Sequence, residues 1–293
     1  MPIILDGKKA REVLKGKLVA RIQKLKTAGI TPCLAIVQVG NRADSSAYIG
    51  AKKKFAIEIG VVEKHIMLSE AVKQEEVMRV IDELNSDVAV HGIIVQLPLP
   101  FSIDKEIILN AITPTKDVDG LSATNVAQWS DVSTVGKTEV IWPATTRGIL
   151  ELLYFYGISL KNKKVAIIGR SALVGKPTAA MCVAEGGQVT VCHRQTTDLA
   201  HETSRANVVI AAAGAPRLIG AAHVRPGQVI IDVGLSKDPA TGKLAGDVDF
   251  DAVSTVIGDA GAITPVPGGV GQMTVLALFE NLIDVIDAAP ARL

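Results

Sequence analysis

The chain has 293 residues, enough for two domains, and 48% of them are hydrophobic, but only 3% are aromatic, so its cores must be aliphatic. Lys and Arg number 31 against 30 for Asp and Glu, and a net charge of +1 creates no field that would gather nucleic acid or an anionic membrane. The odd set of cysteines, Cys33, Cys182 and Cys192, has no CxxC spacing, which argues against a disulfide framework or a thiolate metal site and favours a reducing compartment.

Targeting and metal-binding signals are also missing from the sequence. The N-terminal segment becomes charged too early for a signal-peptide core, and no run approaches the roughly 18 apolar residues of a membrane span. The histidines show no ligand spacing, so we predict no metal site. A cytoplasmic protein is expected, with a mature organellar form as the alternative.

Helices and short apolar strands alternate through the first part of the chain. Apolar residues recur at helical spacing from Ala10 to Leu25, and Gly29 follows as a stop signal. The same patterns predict strands at 34–39, 61–67 and 92–97 and helices at 44–59 and 74–85. This alternation indicates a mostly parallel sheet.

The alternation breaks over 113–143, where turn residues and polar clusters show little periodicity, and restarts after a helix near 146–156. The later elements are predicted as strands at 164–169, 188–193, 207–213 and 228–234 and helices at 174–185 and 273–287. We therefore predict an α/β fold of two α/β domains. The first comprises 1–142, with the C-terminal helix 273–293 packing back on it, and the second comprises 143–272.

A glycine turn follows the first strand of the second domain. Its pattern is G-x-S-x-x-x-G rather than the G-x-G-x-x-G dinucleotide fingerprint. Gly169 can make the tight turn, Ser171 can donate to a phosphate, and Gly175 lets the next helix approach the sheet. Free N–H groups at that helix start would face a pyrophosphate. A dinucleotide site is favoured over a purely structural turn, and the spacing excludes a Walker phosphate loop.

The end of the next strand distinguishes NAD from NADP. NAD enzymes usually carry an acid there that binds the ribose 2′-hydroxyl. This chain has Arg194 instead, and a cation suits a 2′-phosphate. The alternative is a solvated loop arginine.

Glycine and proline are concentrated at Pro267–Gly271, where only Val270 interrupts them. Glycine lets a ligand approach the backbone, and proline keeps the rest of the turn still. We predict a rigid surface for a flat ligand at a strand-to-helix junction, and no packing role is expected to need so much glycine and proline. The alternative is a plain tight turn.

Polar groups in the first domain suggest catalysis. Tyr48 and Lys52 are four residues apart and share a helical face, whereas Lys53 and Lys54 point elsewhere. A solvated lysine-rich face is the alternative. Gln96 closes an apolar strand at the edge of the sheet where α/β sites form.

A second polar group of this domain is the turn KDVDG, which offers the carboxylates of Asp117 and Asp119. It is not a calcium loop, because Ser122 and Gln128 stand where that loop requires glycine and glutamate.

Taken together, these segments resemble the bifunctional methylenetetrahydrofolate dehydrogenase/cyclohydrolase family. They cover nearly the whole chain in the family's order and are jointly highly specific. The matching segments are SSAYIGAKKK (45–54), VQLPLP (95–100), KDVDGL (116–121), GRSALVGKP (169–177), CHRQT (192–196), GDVDF (246–250) and PVPGGVGQMT (265–274).

The resemblance implies a Rossmann-like second domain that binds NADP and an active-site cleft between the domains. It implies the catalytic residues Tyr48, Lys52, Gln96 and Asp119, with Asp119 binding the pterin ring. It implies further substrate contacts at Val95, Leu97, Pro267, Gly268, Gly269, Val270 and Gly271. It implies cofactor contacts at Gly169, Arg170, Ser171, Val174, Gly175, Pro177, His193, Arg194, Gly214 and Leu235.

The implied reaction has two steps. A hydride leaves 5,10-methylenetetrahydrofolate for NADP, and the methenyl product is hydrolysed to 10-formyltetrahydrofolate. The implied partners are one-carbon derivatives of tetrahydrofolate, and the family is expected to form a homodimer.

This chain departs from the family pattern at three positions. Ala144 and Thr146 replace cysteine and proline of an interdomain motif, and Gln272 replaces a proline beside the glycine loop. We expect these changes to affect affinity and domain closure more than the type of reaction. The alternatives are an NADP-dependent dehydrogenase of another small cyclic substrate and a non-catalytic folate or nucleotide sensor.

Overall fold

The computed structural model describes residues 1–131, 140–238 and 242–289. The strands of these residues are β1 (Ile3–Ile4), β2 (Cys33–Val39), β3 (Val62–Leu68), β4 (Gly92–Val95), β5 (Lys164–Ile168), β6 (Gln188–Cys192), β7 (Val208–Ala211), β8 (Val229–Asp232), β9 (Ser236–Lys237), β10 (Leu244–Ala245) and β11 (Ala262–Ile263). The helices are α1 (Gly7–Thr27), α2 (Ala43–Ile59), α3 (Gln74–Ser86), α4 (Lys105–Ala111), α5 (Ala123–Ser130), α6 (Ala144–Phe155), α7 (Gly175–Ala184), α8 (Leu199–Arg205), α9 (Phe250–Ile257) and α10 (Val270–Ala288).

The larger sheet has the strand order β1-β11-β8-β7-β5-β6, and neighbouring strands are parallel. Its central strands β5, β7 and β8 are apolar almost throughout and nearly fully buried, as expected for strands covered on both faces. This parallel sheet confirms the prediction of a Rossmann-like α/β unit. A short antiparallel pair, β9 with β10, follows β8.

The smaller sheet has the order β3-β2-β4 and is also parallel. Every residue of the central strand β2 is buried, whereas exposed and half-buried residues are interspersed along the edge strand β3. The apolar residues of β2 and β4 pack with those of α3 and α4 in one aliphatic core. This core fixes the carboxyl end of β4, and Gln96 lies just beyond it.

The chain forms two compact units. The first contains 1–12, 129–131 and the described part of 145–274, and the second contains 13–128, 140–144 and 275–289. Residues 1–12 lie with the larger sheet because β1 pairs with β11. The predicted domain boundaries stay a prediction.

Three element predictions need correction. The strand predicted at 92–97 ends at Val95, so Gln96 lies just beyond it. The last helix begins at Val270 instead of 273, so part of the glycine segment forms its first turn. Helix α5 lies in a stretch predicted to be irregular, because eight residues are too few to show a periodicity. None of the described helices is both long and apolar enough to cross a membrane.

Candidate active site

Lys52 is held by a hydrogen bond in the second unit. Helix α2 carries it and ends at Ile59, and the next residue, Gly60, has a φ of 77° that permits the left-handed cap. The Lys52 ammonium Nζ donates to Gln96 Oε1 at 3.0 Å. The amide of Gln96 donates in turn to the Leu97 carbonyl at 2.8 Å, which orients its oxygen toward the lysine. Residues distant in sequence therefore meet at the end of β4.

Burial shifts the pKa values of the titratable side chains around Lys52. It lowers the pKa of Lys52, and the nearby Asp119 carboxylate acts in the opposite direction. Burial raises the pKa of Asp119, the positive charge of Lys52 lowers it, and Asp117 raises it again. Burial also raises the pKa of Tyr48, whose side chain is 43% exposed. A lysine with a lowered pKa has a larger neutral fraction near neutral pH, which a proton-transfer group needs.

The turn that presents Asp119 is fixed by its neighbours. Asp117 is buried, and its carboxylate accepts from the Ser122 N–H at 2.7 Å and from Asn125 Nδ2 at 2.9 Å. At Gly120 φ is 67°, and a β carbon would overlap the Ile141 carbonyl. Asp117 thus holds the turn, while Asp119 remains half-buried near Lys52.

Lys116 has a structural role that the sequence analysis missed. Its Nζ donates to the carbonyls of Leu84, Asn85 and Asp87 at 3.0, 2.7 and 2.8 Å. A cation placed there satisfies carbonyls at the end of α3, which have no partner within the helix. A lysine next to two aspartates gives no sequence signal of this role.

Lys53 and Lys54 differ in their surroundings. Lys54 is exposed. Lys53 Nζ lies 2.8 Å from His65 Nδ1, and His65 Nε2 lies 2.9 Å from Gln38 Oε1. Because Gln38 Nε2 donates to the Gly40 carbonyl, its oxygen accepts and His65 carries its proton on Nε2. Lys53 therefore joins α2 to β3 and β2, a role that was not predicted.

The proline–glycine segment has a packing role as well, contrary to expectation. The Gly7 N–H donates to the Gly268 carbonyl at 3.0 Å, and a β carbon on Gly7 would overlap the Gly269 carbonyl. Gly268 has a φ of 116°, and Gly269 is packed against Pro265 and Thr264. Close packing by the start of α1 therefore accounts for some of the glycine here.

Two of the predicted substrate-contact residues have buried side chains. Val95 and Val270 are each 3% exposed, so their side chains belong to the core. Pro267 is exposed, and Gly271 is exposed in the first turn of α10.

The G-x-S-x-x-x-G turn joins β5 to α7 in the first unit. Gly169 has a φ of 119°, and a β carbon on Gly175 would overlap the Gly169 carbonyl. The Ser171 hydroxyl accepts from the N–H groups of Val174 and Gly175, each at 3.3 Å. Ser171 thus pairs with two N–H groups at the start of α7 and still has its own hydroxyl hydrogen to donate. Arg170 is exposed beside it, and Pro177 is buried in the first turn of α7.

Arg194 is exposed in a turn just beyond β6. The His193 N–H donates to Thr196 Oγ1 at 2.9 Å, and the Thr196 N–H donates back to the His193 carbonyl at 2.8 Å. Gly214, with a φ of 66°, and Leu235, 41% exposed, follow β7 and β8. The predicted cofactor residues therefore lie beyond the carboxyl ends of neighbouring strands, where dinucleotides bind in open α/β sheets.

Comparisons with known proteins agree with this arrangement. The family model for the tetrahydrofolate dehydrogenase/cyclohydrolase catalytic domain matches residues 5–119, and the model for the NAD(P)-binding domain of the same family matches residues 143–289. The chain belongs to the tetrahydrofolate dehydrogenase/cyclohydrolase family. It is a bifunctional enzyme, an NADP-dependent methylenetetrahydrofolate dehydrogenase and a methenyltetrahydrofolate cyclohydrolase.

Individual members of the family are similar over nearly the full length. A bifunctional protein FolD from Geotalea daltonii is 42% identical over 284 residues, which cover 97% of this chain and 98% of that protein. The crystal structure of a FolD enzyme from Campylobacter jejuni has a TM-score of 0.92 and 40% identity, covering 98% of this chain and 99% of that one. A Trypanosoma brucei FolD enzyme, solved with NADP and an inhibitor, has a TM-score of 0.89 and 34% identity, covering 98% and 97% of the two chains.

Two of the three departures from the family pattern have local explanations, and nothing in the structure explains Ala144. Ala144 is buried at the start of α6. Thr146 is also buried, and its hydroxyl lies 3.2 Å from Thr178 Oγ1. Gln272 accepts from Arg11 Nη1 at 2.9 Å, and its own N–H donates to the Gly269 carbonyl at 3.1 Å. Thr146 and Gln272 thus make polar contacts that a proline side chain cannot make.

Proposed function

We propose that Lys52 is the proton-transfer residue of the cyclohydrolase step and that Gln96 and Tyr48 position it. The hydrogen bond from Lys52 Nζ to Gln96 Oε1 carries the proposal, because it fixes an amine whose pKa is lowered by burial. Water attack on a methenyl cation requires a group that can accept and return a proton. A partly neutral lysine can do both.

Asp119 would bind the pterin ring in both steps. Its carboxylate can accept hydrogen bonds from the amide and amino edge of the ring. Because Asp119 interacts with Lys52, a ring bound by Asp119 would lie near the amine. Pro267 and Gly271, which are both exposed, would also contact folate.

The first unit would bind NADP. The glycine turn after β5 would suit a dinucleotide, because Gly169 and Gly175 have no β carbon and let the turn pack closely against the start of α7. Arg194 would pair with the 2′-phosphate, and Gly214 and Leu235 would contact the cofactor. When bound, the cofactor supplies the acceptor for the hydride of the one-carbon bridge.

The test of the proposal separates the two half-reactions. The unchanged protein should reduce NADP with methylenetetrahydrofolate and should hydrolyse methenyltetrahydrofolate, and both reactions change absorbance. Lys52→Met should lower cyclohydrolase activity by about 10²–10⁴-fold and dehydrogenase activity by less, since hydride transfer depends more on positioning. Full cyclohydrolase activity in a folded Lys52→Met protein would contradict the role of Lys52.

Lys54→Met is the matched control. Lys54 is exposed on the same helix, so its removal should leave both activities within about twofold, as is usual for surface substitutions. Lys53→Met is a poorer control, because Lys53 contacts His65.

The protein would act in the cytoplasm as a homodimer, with neither nucleic acid nor a membrane as partner. The edge strand β3 supports self-association, because no other described strand pairs with its outer edge and Val62 and Met67 are 49% and 53% exposed. Light scattering of the purified protein would test this, and a monomer at micromolar concentration would contradict it.

A further inference from the structure

The described part of the first unit contains a buried carboxylate that neither the reaction nor the cofactor residues above account for. Asp247 lies between β10 and α9 and is 0% exposed. Its Oδ2 accepts from the N–H groups of Ala213 and Gly214 at 2.6 and 2.9 Å, and its Oδ1 accepts from the Ala215 N–H at 2.8 Å. One side chain thus fixes three consecutive peptide groups in the segment after β7.

A second buried carboxylate holds Asp247 in place. Asp232, the last residue of β8, accepts from the backbone N–H groups of Asp247 and Gly234 through Oδ1, at 2.9 and 3.0 Å. Its Oδ2 accepts from the Val248 N–H at 3.0 Å. Asp232 therefore connects the segment after β8 to the segment that carries Asp247.

Glycines make room for both carboxylates. A β carbon on Gly234 would overlap Asp247 Oδ1, and a β carbon on Gly246 would overlap Asp232 Oδ2. The segments after β7, after β8 and around Asp247 therefore interlock through polar contacts. Substituting either glycine would displace a carboxylate.

These segments carry Gly214 and Leu235, two of the residues assigned to the cofactor. Both segments follow parallel strands at their carboxyl ends, where a dinucleotide binds. We propose that Asp247 is a positioning residue for NADP: its carboxylate fixes the backbone of 213–215 in the binding conformation before the cofactor arrives. The inference rests on the proposed cofactor site. Fixing a loop in advance reduces the ordering cost of binding.

The chemistry of the carboxylate predicts the effect of substitution. Asp247→Asn replaces one acceptor oxygen with an NH2 group, which would face backbone N–H groups that also donate. Either the Ala215 contact or the Ala213 and Gly214 contacts must then be lost. Losing such bonds should raise the Kd for NADP by about tenfold or more, with the KM for folate changed much less.

Asp249→Asn is the matched control. Asp249 caps α9 with a single hydrogen bond, from the Ala252 N–H at 3.3 Å. Asparagine is an equally good cap, so this variant should bind NADP normally. Isothermal titration of the folate-free protein with NADP would give the Kd of the unchanged enzyme and both variants.

The possible outcomes separate this inference from the proposed function. Failure of the unchanged protein to bind NADP would overturn the cofactor assignment and the inference together. Normal NADP binding by a folded Asp247→Asn protein would overturn the inference alone.

A second test does not depend on the folding of Asp247→Asn: amide hydrogen exchange is measured on the unchanged protein without cofactor. If Asp247 fixes this segment, the amides of Ala213, Gly214 and Ala215 should exchange slowly. Exchange at the rate of an unprotected loop would refute it.

Discussion

At the scale of single residues, Asp117 and Asp119 lie two positions apart in one turn but have different surroundings. Asp117 accepts hydrogen bonds from Ser122 and Asn125, whereas the charge of Asp119 interacts with that of Lys52. Asp119→Ala should therefore lower both activities together, because both steps use the same bound ring. Steady-state assays of the two half-reactions would measure this.

Asp117→Ala provides the contrasting change. It leaves buried donors unpaired and should lower the free energy of unfolding by about 1–3 kcal/mol. If it weakened folate binding more than Asp119→Ala did, the two roles would be reversed.

Arg194 provides a second test at this scale. Arg194→Asp removes a charge-assisted contact to the 2′-phosphate and adds repulsion, so NADP binding should weaken by about 1.5–3 kcal/mol. Binding of NAD, which lacks that phosphate, should change little. Titrations with both cofactors would show the difference, and equal kinetics with NAD and NADP in the unchanged enzyme would contradict the assignment.

At the scale of secondary-structure elements, we consider the effect of having glutamine instead of proline at position 272, in the first turn of α10. From the sequence alone, Gln272→Pro would be expected to stiffen the loop and gain up to about 1 kcal/mol. In the structure, proline would lose the N–H bond to Gly269 and the side-chain bond from Arg11, worth about 1 kcal/mol each. We therefore expect the KM for folate to rise.

Gln272→Ala separates the two contacts, because it keeps the N–H bond and loses only the contact with Arg11. It should have a smaller effect than Gln272→Pro. A lower KM in Gln272→Pro would show that loop stiffness outweighs both bonds.

The elements also show how far sequence reasoning extends. The amphipathic helix α3 and the apolar strands β2, β5 and β7 match their predicted bounds within a few residues, because burial imposes their patterns. The strands β1 and β11 have two residues each and carry no pattern; only distant partners create them. The bond from Lys52 to Gln96 could be inferred only through family resemblance, since the spacing of 44 residues has no local signature.

At the scale of the whole molecule, Asp232 should make stability depend on pH. Burial raises its pKa from 3.8 to about 6, and the backbone hydrogen bonds act in the opposite direction. Because the folded state holds the proton more tightly than the unfolded state, this contribution is fully present below pH 3.8. It is lost as pH rises through about 6, and its size is about 3 kcal/mol.

Urea unfolding at pH 7.5 and pH 5 would measure this effect. His65 acts oppositely, because burial and Lys53 lower its pKa, and its stabilisation is lost as pH falls below 6.5. The comparison should therefore be made with Asp232→Asn, which cannot titrate. The unchanged protein should gain more stability than this variant between pH 7.5 and pH 5, and parallel pH profiles would contradict the raised pKa.

The pairing of β1 with β11 has a consequence for synthesis on the ribosome. Ile3 and Ile4 need Ala262 and Ile263 as partners, and these are made only when almost the whole chain has been translated. Leu5 is fully buried in the folded protein and donates its N–H to the Ile263 carbonyl at 2.8 Å. This hydrogen bond also cannot form before Ile263 has been synthesised. Residues 3–5 therefore stay without these partners until residues 262–263 have been made. The folding of the chain should depend on nascent-chain chaperones more than that of a protein whose first strand pairs early.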